Sequence, residues 1–267
     1  MSPLKLRRME RIYSSTVPPD GIKCAGMERL DAIDAAQRIV SARFPDARAA
    51  FLTGSALTSR LTSTSDLDIV VILQGRPAPF RETIREYGWP VELFVQSPAS
   101  IEYFVAKETS EHHGTTLKML MDGHILVSVD GEAELLQSEA IERFAKGPSS
   151  ISVEEMRRRR YTLTDQLDDL IGATDPTELL YISQQLLVGA SELALLSKAQ
   201  WLASGKWLPR HLAVSEPELS MQLSSAIKAV LETGEKKPIE DLVCKILDRV
   251  GGPLTEGYRV AGEIPDL

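Results

Sequence analysis

Apolar positions change period several times along the first 150 residues, then settle into one period to the end. Leu30, Ile33, Ala36 and Val40 recur at helical spacing and predict a helix over 27–44, stopped before Pro45. Ala49 to Thr53 is a short apolar run that reads as a strand ending in Gly54-Ser55. Residues 67–73 read as a second strand, and its unbroken run Val70 to Leu73 suits burial on both faces. A Pro-rich loop follows, then a charged stretch that predicts a helix over 80–87, and a strand over 91–96. Ser97-Pro98 opens another helix, running to about Glu111. Leu117 to Leu120 reads as helical, Ile125 to Val129 as a short strand, and Glu132 to Ala145 as a helix ending near Gly147. Beyond Gly147-Pro148 strand-like alternation is gone, and helices are predicted over 152–172, 177–203, 216–233 and 238–250. The pattern therefore predicts an α/β (α+β) domain with a small mixed sheet, followed by an all-α helical bundle. The expected divisions are an N-terminal arm (1–26), the sheet domain (27–148) and the helical domain (149–267).

Composition narrows the partners. The net charge of −8 argues against a nucleic-acid binder, which would carry a basic surface, and is compatible with a cationic small molecule. Cys24 and Cys244 are far apart and give no metal-ligand spacing, as expected of a reduced, cytoplasmic protein. No run of eighteen or more apolar residues occurs, so no membrane-spanning helix is expected. Met1 to Arg11 is basic but lacks an apolar stretch, so no signal peptide is expected either.

The chemistry concentrates at Ser65-Asp66-Leu67-Asp68-Ile69. Residues two apart in a strand share a face, so Asp66 and Asp68 point the same way. Two carboxylates about 6 Å apart repel by roughly 3 kcal/mol at an effective dielectric near 20. A fold gains from that pair only if something positive sits between them, and a divalent cation with oxygen ligands is the natural occupant. Taken alone, Asp66 and Asp68 fit a solvated turn before a strand equally well. Gly54-Ser55 ends the preceding strand in a turn whose glycine allows close approach of a phosphate. Glu92 sits inside an apolar strand, Val91 to Val95, where an acid is either on a solvated edge or engaged with a cation.

Gly54-Ser55, a ten-residue spacer, Asp66-x-Asp68 and a later strand acid together resemble the signature of the DNA-polymerase-β-type nucleotidyltransferase superfamily. The spacer from Ala56 to Ser65 is similar in length and pattern to that of antibiotic (aminoglycoside) adenylyltransferases, though relatives with a glycine there contrast with Thr58, Ser59 and Arg60 here. The resemblance covers residues 49–96 firmly and the rest loosely. It implies a nucleotidyltransferase domain in which Asp66, Asp68 and Glu92 hold Mg²⁺, expected as two ions. Glu92 is either the third ligand or the general base. Gly54, Ser55, Ser65, Arg60 and Lys206 are the expected nucleotide-binding residues. The implied substrates are a nucleoside triphosphate, ATP, and a small-molecule acceptor whose hydroxyl receives AMP as pyrophosphate leaves. Transfer to a protein or RNA, and a catalytically silent nucleotide-binding protein, are the alternatives. By analogy with some relatives, the resemblance is also compatible with a homodimer.

Other features carry less. Arg157 to Arg160 sweep the circumference of one helix, so either one of them meets phosphate in a cleft or all are a solvated cluster. Glu192 is a remote candidate base. Gly205 to Arg210 reads as a loop carrying Lys206 and Trp207. The four histidines form no ligand pair.

Overall fold

A computed structural model describes residues 29–75 and 78–261. The expected arm, residues 1–26, and the first residues of the 27–44 helix lie outside them. Helix α1 runs Ala32–Arg43. It starts where Asp31 caps the amides of Ile33 and Asp34, and it ends before Pro45 as its sequence dictates. The following elements are β1 (Ala47–Thr53), a 3₁₀ turn (Ser55–Leu57), β2 (Leu67–Leu73), β3 (Phe80–Glu86), β4 (Trp89–Gln96), α2 (Pro98–Ser110), α3 (Thr115–Met121), β5 (His124–Ser128) and α4 (Glu132–Ala145).

The strands form one mixed sheet in the order β3-β4-β2-β1-β5. Within this sheet, among the described residues, the β2–β4 pair is parallel and the other three pairs are antiparallel. Alternation sorts the side chains. Leu52, Leu67, Ile69, Leu93 and Val95 pack against Ala35, Ile39 and Val40 of α1. Phe51, Val70 and Ile72 pack on the other face against Ile101 of α2 and Leu117 and Leu120 of α3.

The structure corrects one element outright. Residues 80–87, expected as a helix, are the edge strand β3 and its turn. Arg and Glu favour helices in isolation, which misleads a local reading. Here Glu82 and Glu86 pair with Arg43 of α1, charges suit an exposed edge, and Tyr87-Gly88, both at positive φ, close a two-residue hairpin onto β4.

After α4 the chain is helical: α5 (Val153–Gly172), α6 (Pro176–Leu196), α7 (Trp207–Ser215), α8 (Pro217–Thr233) and α9 (Lys237–Asp248). Ser152 and Asp175 cap α5 and α6. Helix α6 stops at Leu196, seven residues before its expected end. Ala199 turns at positive φ, and the chain then runs extended through Leu202, which bridges to His113. Gly205 to Arg210 is not all loop: α7 begins at Trp207, with Pro209 tolerated in its first turn.

By length and a mean hydropathy of 1.4, α6 could cross a membrane, although Ser183, Gln184 and Gln185 interrupt its apolar run. Its Leu186, Ala190, Leu193 and Ala194 form instead the centre of the helical core, among Leu163, Leu167, Leu223, Val230 and Ile246.

Trp201 belongs to the helical half by sequence but to the sheet half by packing. It is buried within the α2–α4 side of the sheet core, its ring stacks on Phe144 at 5.3 Å, and its indole N–H donates to the Phe144 carbonyl. Trp201→Ala is expected to destabilise the protein by about 3–5 kcal/mol, read from the urea midpoint at unchanged slope. A loss under 1 kcal/mol would show that this contact is not a structural tie.

Candidate active site

The ends of β1, β2 and β4 meet at one corner of the sheet. In register, Thr53 of β1 faces Asp68 of β2, and Asp68 faces Glu92 of β4. Asp66 lies just before β2 and, two residues from Asp68, shares its face. One carboxylate oxygen from each of Asp66, Asp68 and Glu92 lies within 4.8 Å of the other two. Oxygens on opposite sides of an octahedral Mg²⁺ are about 4.2 Å apart, so small side-chain movements fit the three acids around a common ion. Among the described residues this is the one cluster of three His, Cys, Asp or Glu side chains so placed. Glu92 is not on an edge: β4 runs between β2 and β3.

Electrostatics marks the same spot. Burial pushes the Asp68 carboxyl up to about 6, the nearby charges of Asp66 and Glu92 add to the rise, and Lys206 and Arg81 oppose it. A carboxyl held this far from its ordinary value beside two others is poised for a cation.

Gly54 lies directly against Asp68. Its backbone adopts φ 87 and ψ −161, a region open essentially to glycine alone. A Cβ there would stand 2.2 Å from Asp68 Oδ2. The turn thus lets bare backbone pass directly beside the carboxylate.

The spacer is a hairpin loop between antiparallel β1 and β2, and its serines close it. Ser55 donates to Ser65 Oγ at 3.0 Å, and Ser65 Oγ accepts from the Thr62 amide at 2.9 Å. Both serines are buried, so their hydroxyls shape the loop from within. Arg29, which the sequence did not single out, donates to the Ser63 carbonyl and lies over the Trp89 ring at 4.2 Å, bracing the loop from outside. Arg60 is exposed at the loop's tip. Lys206 is exposed in the turn before α7, with its charge felt at Asp68.

Arg81 is the second residue that sequence reasoning missed. It pairs with Glu92 from β3. Its signal was present: Tyr87-Gly88 read as a hairpin turn sets Arg81 diagonally across from Glu92.

The four arginines of α5 all have protein partners. Arg157 donates to the Gly257 carbonyl, Arg160 to those of Gly251 and Gly252, Arg158 pairs with Glu155, and Arg159 bridges Glu155 and Glu192. They brace the helical half rather than stand free for phosphate, and the Glu192 carboxylate is taken up by Arg159.

Proton competition at Asp68 predicts a pH dependence. A metal must displace any proton held there, so with a carboxyl near 6 the affinity for Mn²⁺ is expected to fall about tenfold between pH 7 and pH 5. Titration at fixed ionic strength measures this. An affinity flat across that range would remove Asp68 from the ligand set.

No protein-family model and no curated protein matches the sequence. Among solved structures the chain is similar to a nucleotidyltransferase-like protein from Exiguobacterium sibiricum 255-15, with 12% identity and a TM-score of 0.43, over 82% of this chain and 74% of that one. At this distance the likeness assigns no residue a role.

Proposed function

We propose that the protein is a Mg²⁺-dependent nucleotidyltransferase that moves AMP from ATP onto a hydroxyl of a small molecule, with aminoglycoside-like antibiotics among the candidate acceptors. The observation that carries this reading is the convergence of Asp66, Asp68 and Glu92 beside a Gly54 turn too tight for any side chain. Asp66, Asp68 and Glu92 would hold the ions. Bound Mg²⁺ would supply neutralisation of the phosphate charge and a template for in-line displacement.

The rest is positioning by the chain itself. The Gly54 turn brings bare backbone directly against Asp68, where its amides would meet a phosphate held by the acids. Ser55 and Ser65 fix the loop that follows, and Lys206 and Arg60 would supply positive charge to the triphosphate. The acceptor oxygen attacks the α-phosphorus as the bond to the bridging oxygen breaks and pyrophosphate departs. The proton of the acceptor hydroxyl passes to Glu92 where that carboxylate lies within hydrogen-bond reach, and otherwise to solvent. A net charge of −8 is compatible with a small, cationic acceptor and argues against nucleic acid.

The test is incubation with α-labelled ATP, Mg²⁺ and an acceptor panel that includes aminoglycosides, with pyrophosphate and labelled product as readouts. Label retained on the protein itself redirects the reading to side-chain modification. Nucleotide binding without turnover on small molecules, proteins or RNA replaces it with a silent binder. Turnover that survives Asp66→Asn and Asp68→Asn removes the assigned site.

A further inference from the structure

Glu92 has neighbours on both sides. Asp68 flanks it from β2, and Thr83 faces it from β3. Arg81 stands two residues from Thr83 on the same face of β3, where a long side chain reaches a diagonal partner. Its Nη2 donates to Glu92 Oε2, and its guanidinium lies 5.0 Å from the centre of the Phe94 ring. The Arg81 side chain is 61% exposed, against 22% for Glu92. Its charge is also felt at Asp68. The three acids therefore already have a cation of their own, delivered from an edge strand and resting on an aromatic surface.

From this we infer that Arg81 is a built-in counter-ion: it occupies Glu92 until a divalent ion displaces it. The inference rests on the metal site proposed above. An arginine keeps its charge at any working pH, so it cannot yield the carboxylate by losing a proton; it must move away. The same Glu92 carboxylate cannot serve both cations fully, and their like charges repel across a few ångströms. Exposure on β3 lets the side chain swing out with no change in the backbone, away from Glu92 and from the Phe94 ring it rests on. Without Arg81 the metal-free pocket would gather three carboxylates with Lys206 as the other nearby cation, and that lysine comes from an exposed turn of the helical half. Arg81 thereby makes the empty site tolerable and sets a threshold for loading it.

A competitor and a ligand-positioning residue give opposite results when removed. Free Mn²⁺ is followed by electron paramagnetic resonance in the absence of nucleotide, at pH 7.5, for the wild type, Arg81→Met, Arg81→Lys and Asp68→Asn. Arg81→Met is expected to bind Mn²⁺ about tenfold more tightly than wild type, with Arg81→Lys between them. Equal or weaker binding by Arg81→Met, in a protein whose circular dichroism matches wild type, overturns the inference and leaves the metal site standing if Asp68→Asn still loses Mn²⁺. Absence of Mn²⁺ binding in both wild type and Arg81→Met overturns the metal site, and the counter-ion with it. Binding in Arg81→Met alone supports the competition in its strongest form. None of these readings requires turnover, so they stand apart from the acceptor assay.

Discussion

Asp68→Asn is expected to lower nucleotidyl transfer by about a thousandfold or more while making the metal-free protein more stable. The two effects have one cause. Burial and the charges of Asp66 and Glu92 raise the Asp68 carboxyl from 3.8 to about 6 in the folded chain. A group whose folded value lies above its unfolded one favours the fold while protonated, so its contribution is full below about pH 4 and is lost as pH rises through 6. At pH 7 the ionised group therefore costs stability, about 1–2 kcal/mol once solvent screening at this partly exposed site is allowed for. The neutral amide removes that cost and should raise the melting temperature by about 2–6 °C in EDTA. Saturating Mg²⁺ should stabilise the wild type and leave the variant unmoved. Scanning calorimetry with and without Mg²⁺, beside the labelled-ATP assay, reads both halves. A variant that loses activity but is also less stable in EDTA would show that Asp68 is a structural partner, not a carboxylate waiting for a cation.

Gly54→Ala should be nearly as damaging by a steric route. The new Cβ would meet Asp68 Oδ2 at 2.2 Å, so the carboxylate must turn or the turn must open. The backbone strain at φ 87 and ψ −161 adds about 1–3 kcal/mol. The expected result is a loss of at least about a hundredfold in transfer and about tenfold in Mn²⁺ affinity, with a lowered melting temperature. Gly131→Ala is the control. Gly131 also has positive φ, at 78, but its missing Cβ faces open space. It should share part of the stability loss and none of the loss of metal binding. Equal metal affinity in both variants would mean that the Gly54 turn is unconnected to the site.

Much of this corner could be read from the chain because its signals are local and periodic. Asp66 and Asp68 alternate with Leu67 and Ile69, so a strand puts both acids on one face without further assumption. Glu92 stands out because it interrupts an apolar run. The ten-residue spacing acquires a physical meaning only in the structure, where Ser55 and Ser65 bond across the loop they delimit. What was illegible depends on distant partners. Residues 80–86 have the composition of a helix and become a strand because β4 offers a ladder and Arg43 offers a cation. Arg81 and Arg29 look like ordinary surface charges until β3 and the spacer are folded beside them. The end of α6 went unseen because Ser197 to Gln200 contains no proline or glycine. Ala199 takes a left-handed turn there, where a sequence reading expects glycine.

The seating of Trp201 against Phe144 bears on anyone who would dissect this protein. The composition shift at 148 invites a cut there, yet a fragment ending at that point would leave an indole-shaped slot beside Phe144 and bare the ring that should be covered. Extending the fragment through Ala203 would bring Trp201 with α5 and α6, but those two helices would lose the core partners that α7, α8 and α9 supply. The same short connector goes on to Lys206, whose charge is felt at Asp68, so cutting the indole loose would also loosen the chain that carries that lysine.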